Sequence, residues 1–147
     1  MIRLATAAAA LLLSAAPALA QSADTNKVVL TFETGARTGM VMVALYNTAA
    51  AYNGEGRDAD ANRAVATTAI SASGRVVATF DNLPAGEYAV KAFHDVNGDG
   101  QMNTNPFGLP TEPYAFSNNA VGNMGPARWD RAHFAVSGET AQTISIR

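Results

Sequence analysis

Seven stretches of the chain set apolar residues at the two-residue period of a half-buried strand, in runs rich in Val, Thr, Ile, Phe and Tyr. They cover 27–33, 39–46, 64–71, 74–80, 87–94, 131–136 and 140–146. In 87–94, Tyr88, Val90, Ala92 and His94 fall on one face and Ala89, Lys91 and Phe93 on the other. The first two stretches are joined around Gly35, where glycine takes a positive φ readily, and are predicted to pair as a hairpin. Helical spacing is scarce. The segment 47–62, NTAAAYNGEGRDADAN, is small and polar and reads as a mobile loop, with at most a short helix over 48–52. A Gly-, Asn- and Pro-rich excursion spans 95–128, far longer than ordinary connections, so function is sought there. Short strands with turn signals and no alternating helices predict an all-β fold: a single antiparallel β-sandwich of about seven strands with one long loop.

The two ends of the chain differ in kind. Residues 1–20, MIRLATAAAALLLSAAPALA, carry Arg3 as their one charge, then an apolar run and an Ala-Leu-Ala site before Gln21, the pattern of a cleavable secretory signal. Ser14 and Pro17 interrupt the run before it reaches the ~20 apolar residues of a bilayer span. The expected product is an exported protein, periplasmic or secreted after cleavage near Ala20, with 21–147 as one domain and no membrane span in the mature chain. There is no cysteine, so the core is expected to stand without disulfides. With a net charge of −2 and Lys27 and Lys91 as the only lysines, there is no basic patch for nucleic acid and no cationic membrane-surface helix.

One motif carries chemistry. Asp95-Val-Asn-Gly-Asp-Gly-Gln-Met-Asn103 matches the first half of a calcium loop, in which oxygen ligands at alternate positions converge on a hard cation and glycine permits the sharp turn. Asp95, Asn97 and Asp99 are the side-chain candidates, Gln101 offers a backbone carbonyl, and Asn103 acts directly or through water. The twelfth position, where an EF-hand needs a bidentate glutamate, is Pro106, and a strand rather than a helix precedes Asp95; an EF-hand is excluded. Glu112 is the nearest acid downstream that can supply the missing carboxylate. The competing reading is a set of consecutive turns in which each Asp or Asn bonds to backbone two residues on.

Glu112, Tyr114, Phe116, Ser117, Asn118 and Asn119 mix amides and rings, as a binding rim does and as a long loop stapled onto a core also does. His94 and His133 are the only histidines, and a zinc site would need both plus carboxylates. His94 and Asp95 are strand neighbours pointing to opposite faces, which spoils a base–carboxylate pair. No G-x-S-x-G, H-E-x-x-H, P-loop or dinucleotide fingerprint occurs after the signal. Met124 and Trp129 read as core plugs.

The run LPAGEYAVKAFHDVNGDG over 83–100, followed by FGLPTEPY over 107–114 and FSNN over 116–119, resembles the exported bacterial family known as domain of unknown function 2141. The resemblance extends from the Gly39 strand to the Phe134 strand, with Ala115 where the family often has glycine and Ala127-Arg128 where a Pro-Ser-like pair is common. It implies an immunoglobulin-like or transthyretin-like sandwich and no assigned activity. More distantly, the Leu-Pro-x-Gly-x-Tyr strand is similar to those of surface-protein repeats and carboxypeptidase regulatory modules, which act as spacers, supports or adhesion modules. The expected function is that of a non-catalytic binding or structural module whose long loop, ordered by calcium, meets an envelope protein or a glycan. Two rivals stand beside it: a small-ligand carrier with Tyr114, Phe116 and Trp129 lining a pocket, and a hydrolase of unrecognised type using His94 and Glu112.

Overall fold

A computed structural model describes residues 26–147; the export signal read at 1–20 and its cleavage site lie outside the described residues. The chain is mostly β, in two sheets. Strand β1 (Asn26–Gly35) lies between β4 (Gly74–Leu83) and β8 (Glu139–Ser145) in a three-stranded sheet. The second sheet runs β3 (Ala66–Ser71), β2 (Met40–Tyr46), β5 (Gly86–Asp95), β6 (Tyr114–Phe116), with β7 (Phe134–Val136) pairing the first residues of β5.

The alternation seen in the sequence sets the core. Val28, Leu30 and Phe32 of β1 sit opposite Phe80, Ala78 and Val76 of β4, and these six side chains are buried with Ile144 of β8. From the other sheet, Val41, Val43 and Leu45 of β2 lie beside His94, Ala92 and Val90 of β5. The apolar members of both sets belong to one hydrophobic cluster shared by the two sheets. Burial of each such Val, Leu or Phe contributes roughly 1.5–3 kcal/mol.

Several expectations are corrected. Strands β1 and β2 do not form a hairpin; β1 bonds to β4 and β8, and β2 to β3 and β5. Both carry one wholly apolar alternate set, and each sheet contributes one such set to the shared core, so residues 36–39 pass between layers. Gly39 fixes the arrival point: its φ is +120°, and a Cβ there would lie 2.3 Å from the backbone oxygen of Asp95. Nor are the sheets purely antiparallel, because β8 runs parallel to β1. An eighth strand, β6, emerges inside the long excursion, and the expected strand over 131–136 shortens to β7, preceded by the helical turn α2 (Trp129–Ala132).

The segment 47–62 also differs from the loop expected of it. Thr48 caps α1 (Ala49–Asn53), its Oγ accepting the Ala51 N–H at 3.3 Å, and Gly54 closes the helix in the left-handed region. Tyr52 is thereby 1% exposed and joins Ala89, Phe116, Ala127 and Ala132 in a second cluster, with Tyr46 and Trp129 packed against it. Trp129 thus packs as expected, whereas Met124 is fully exposed. No helix among the described residues is long and apolar enough to cross a membrane.

Candidate functional site

The face of the five-stranded sheet that turns away from the core is largely apolar over β2, β5 and β6, with Thr67 and Ala69 of β3 beside it and Glu87 at the start of β5. On β2 it carries Met42, Ala44 and Tyr46; on β5, Lys91 and Phe93; on β6, Tyr114 and Phe116, which register opposite Phe93 and Lys91. Two stretches of the long excursion rise beside this face: Met102 and Gly108–Pro110 from one, Met124–Pro126 from the other. Between them lies an open groove of about 1170 Å³. Its size exceeds the ~300–1,000 Å³ usual for small-molecule pockets, and its lining is the apolar kind with few polar groups that such pockets have. Leu109, Tyr114 and Met124 remain exposed along it.

Among the described residues, Lys91 is the only charged one lining the groove. Its ammonium stands 4.6 Å from the ring centre of Tyr52 and 5.3 Å from that of Tyr46, within cation–π range. Burial lowers the Lys91 pKa from its ordinary 10.5 and raises those of Tyr46 and Tyr52, because desolvation disfavours the charged form of each. The Tyr52 hydroxyl is buried without a hydrogen-bond partner among the described residues. Trp129, which the carrier reading set beside Tyr114 and Phe116, packs edge-on to Tyr52 and stacks on His133 outside the groove lining.

One wall of the groove is held by the motif singled out in the sequence. Asp95, 2% exposed, accepts the N–H groups of Gly98 at 2.7 Å and Gly100 at 2.8 Å, one on each carboxylate oxygen. Asn97 Oδ1 accepts the Asp99 N–H, and Asp99 Oδ1 accepts the Gln101 N–H, the Asx turns of the competing reading. Asp99 Oδ2 receives amide hydrogens from Asn103 at 2.8 Å and Asn97 at 3.1 Å. These bonds, the Asn103 one foremost, hold the Asp99 carboxyl below its usual pKa. Glu112, 8% exposed, accepts the Val96 N–H with Oε1 and the Asn103 N–H with Oε2, clasping both ends of the turn.

The structure therefore ties the side chains of Asn97, Asp99 and Asn103 into one hydrogen-bonded knot, while Asp95 and Glu112 bond to backbone N–H groups of the same turn and Gln101 contributes its N–H. The donor set is all oxygen, the kind a hard cation takes. Both Asp95 oxygens keep a second lone pair beyond the N–H bonds they accept, and the amides of Asn97 and Asn103 would present oxygen after a half-turn. Among the described residues no group of three or more His, Asp or Glu side chains is arranged to hold a metal, so those amides would have to complete any shell.

The remaining candidates are built into the scaffold. His94 is fully buried on the core side, its Nε2 2.9 Å from the Thr38 carbonyl. Ser117 Oγ accepts the Val90 N–H and donates to the Ala132 carbonyl. Asn118 donates to the carbonyls of Arg131 and His133, and Asn119 to that of Thr143, so these amides fasten the excursion to its neighbours. Lys91, Met42 and Phe93 were missed from the sequence. The available signal was β2 itself, whose outward set lacks the charged residues that a solvent-facing strand normally alternates.

No curated protein and no solved structure matches the chain. Residues 33–145 match the bacterial family described as "Uncharacterized protein conserved in bacteria (DUF2141)", wider than the span read from the motifs, and the chain belongs to that family.

Proposed function

We propose that this protein is an exported, non-catalytic carrier that holds a small apolar ligand in the groove over its five-stranded sheet. In this reading the two sheets form one sandwich domain of the immunoglobulin-like or transthyretin-like kind, acting in the periplasm or outside the cell. One observation carries it: a sheet face of Met42, Ala44, Phe93 and Phe116 is flanked by two loop walls yet left open between them. An envelope protein or glycan was the partner expected from sequence. A concave apolar groove favours a small ligand over either, since glycan sites need many converging polar groups. Against the hydrolase alternative, burial keeps His94 from acting as a base on substrate, and backbone N–H groups engage both Glu112 oxygens.

The test is titration of residues 21–147 with the neutral fluorescent probe N-phenyl-1-naphthylamine. Saturable binding is expected, weakened at least tenfold by Met42→Asp and by Phe93→Asp in proteins that keep their circular dichroism. Unchanged probe binding in both variants would remove the groove as the site.

We further propose that calcium reinforces the loop through Asp95, Asn97, Asp99, Gln101 and Asn103, with Glu112 as the outer clasp. The mutual hydrogen bonds of Asn97, Asp99 and Asn103, and the Asp95 and Glu112 carboxylates bonded to backbone of the same turn, support this. A cation bound only by the folded state raises the melting temperature by mass action. A rise in millimolar calcium after chelation, lost in Asp99→Ala, is expected; no rise leaves the loop as a knot of side-chain hydrogen bonds alone.

A further inference from the structure

Resting on the groove reading, we infer that the ligand is a single-chain amphiphile with a carboxylate head, its chain along the groove and its head at Lys91. Charge is the first ground. The described ion pairs match Lys27 with Glu139, Arg63 with Asp60, Arg75 with Glu33, Arg128 with Glu55 and His133 with Glu87; Arg37, Arg57, Arg131 and Arg147, outside these pairs, are exposed to water, whereas Lys91 is half-buried and has no acidic partner among the described residues. Its ammonium stands over the faces of Tyr46 and Tyr52, on the floor of a groove whose other lining residues, among those described, are uncharged. A half-buried cation without a counter-ion is a desolvation penalty that an arriving anion relieves, and the low-dielectric walls strengthen the attraction.

Valence and shape narrow the class. One ammonium amid neutral residues balances one negative charge, which suits a carboxylate and leaves a phosphate monoester dianion half-compensated. Met42 on the floor and Met102, Leu109, Pro110 and Met124 in the walls line the groove, and methionine moulds itself to a flexible chain rather than to a rigid ring. The groove is also open and large, which accommodates an extended chain better than a compact metabolite.

The experiment is displacement of N-phenyl-1-naphthylamine from the mature chain by laurate, dodecanol, dodecylamine and dodecyl phosphate, all below their aggregation limits. Laurate is expected to displace the probe at a concentration at least tenfold lower than dodecanol, with dodecylamine weaker still. In Lys91→Met the laurate advantage should vanish while dodecanol is unaffected, and Lys91→Arg should restore most of it; a variant that melts early is replaced by Lys91→Gln. Equal potency of laurate and dodecanol on the wild type overturns the inference while the groove reading survives. Dodecyl phosphate surpassing laurate overturns the carboxylate assignment. A probe that never binds removes the groove reading, and this inference with it.

Discussion

Ser117 offers the sharpest test of how the outer elements are tied to the sheet. Its side chain is fully buried, and its hydroxyl makes two bonds at once, accepting from Val90 N at 2.8 Å and donating to Ala132 O at 2.6 Å. Ser117→Ala removes one oxygen and strands two backbone groups, one on β5 and one at the end of α2. Each unsatisfied buried group costs about 1–3 kcal/mol. Relaxation recovers part of this, so a loss of about 3 kcal/mol is expected. At this chain length 1 kcal/mol shifts the melting temperature by roughly 3–5 °C, giving a fall of about 10 °C. The assay is urea unfolding of the mature chain, in which the midpoint should drop with the slope unchanged, together with faster hydrogen exchange at the Val90 amide. The exposed Ser137→Ala serves as control and should stay within ~0.5 kcal/mol of wild type. A Ser117→Ala loss below about 1 kcal/mol, with Val90 still protected, would refute the reasoning.

Other perturbations probe the loop and the groove. Gly39→Ala forces a Cβ to 2.3 Å from the Asp95 oxygen at a φ of +120°, so destabilisation above ~2 kcal/mol is expected by denaturant titration; a neutral result would mean the crossing can shift. The Asp99 carboxyl, held below its ordinary 3.8 chiefly by the Asn103 amide, contributes stability above the unfolded-state value that is lost as pH falls through the lowered one; carbon-detected NMR should place its midpoint below 3.8, and Asn103→Ala should raise it. Glu112→Gln sets an amide N–H against one of the two N–H groups now accepted, so the 96–111 wall should become protease-sensitive and neutral-probe affinity should fall, with little change in unfolding slope. Burial lowers the Lys91 pKa, so the unfolded chain holds that proton to higher pH and the free protein should gain stability as pH rises from the lowered value toward 10.5; Lys91→Met should flatten that rise in melting curves.

Much of the fold was legible because strand period decides which residues are buried. The set Tyr88, Val90, Ala92 and His94 was readable as one face, and all four are buried. Pairing was less legible: alternation says which face turns inward but not which strand lies alongside, so β1 and β2 read as a hairpin although they lie in different sheets. Short elements were the least legible. Strand β6 spans three residues, fewer than a period-two argument can use, and α1 spans five, stabilised by the Thr48 cap and by Tyr52 packing under Trp129 rather than by intrinsic propensity.

The candidate site divides along the same line. Its loop was readable residue by residue, because Asx turns act over two or three positions, and Glu112 could be proposed as the missing acid from its nearness in sequence alone. The groove was not, because it is assembled from β2, β5, β6 and two separated stretches of the excursion. Yet β2 carried a trace of it. A strand reading Met-Val-Met-Val-Ala-Leu-Tyr is apolar on both faces, and a sheet with only one face on the core has no use for the second set unless something covers it. The excursion covers it only in part, and the remainder is the opening that a ligand would close. Long loop, doubly apolar strand and Lys91 therefore meet in one place: the excursion raises two walls over a groove in which Lys91 is the only charged lining residue among those described.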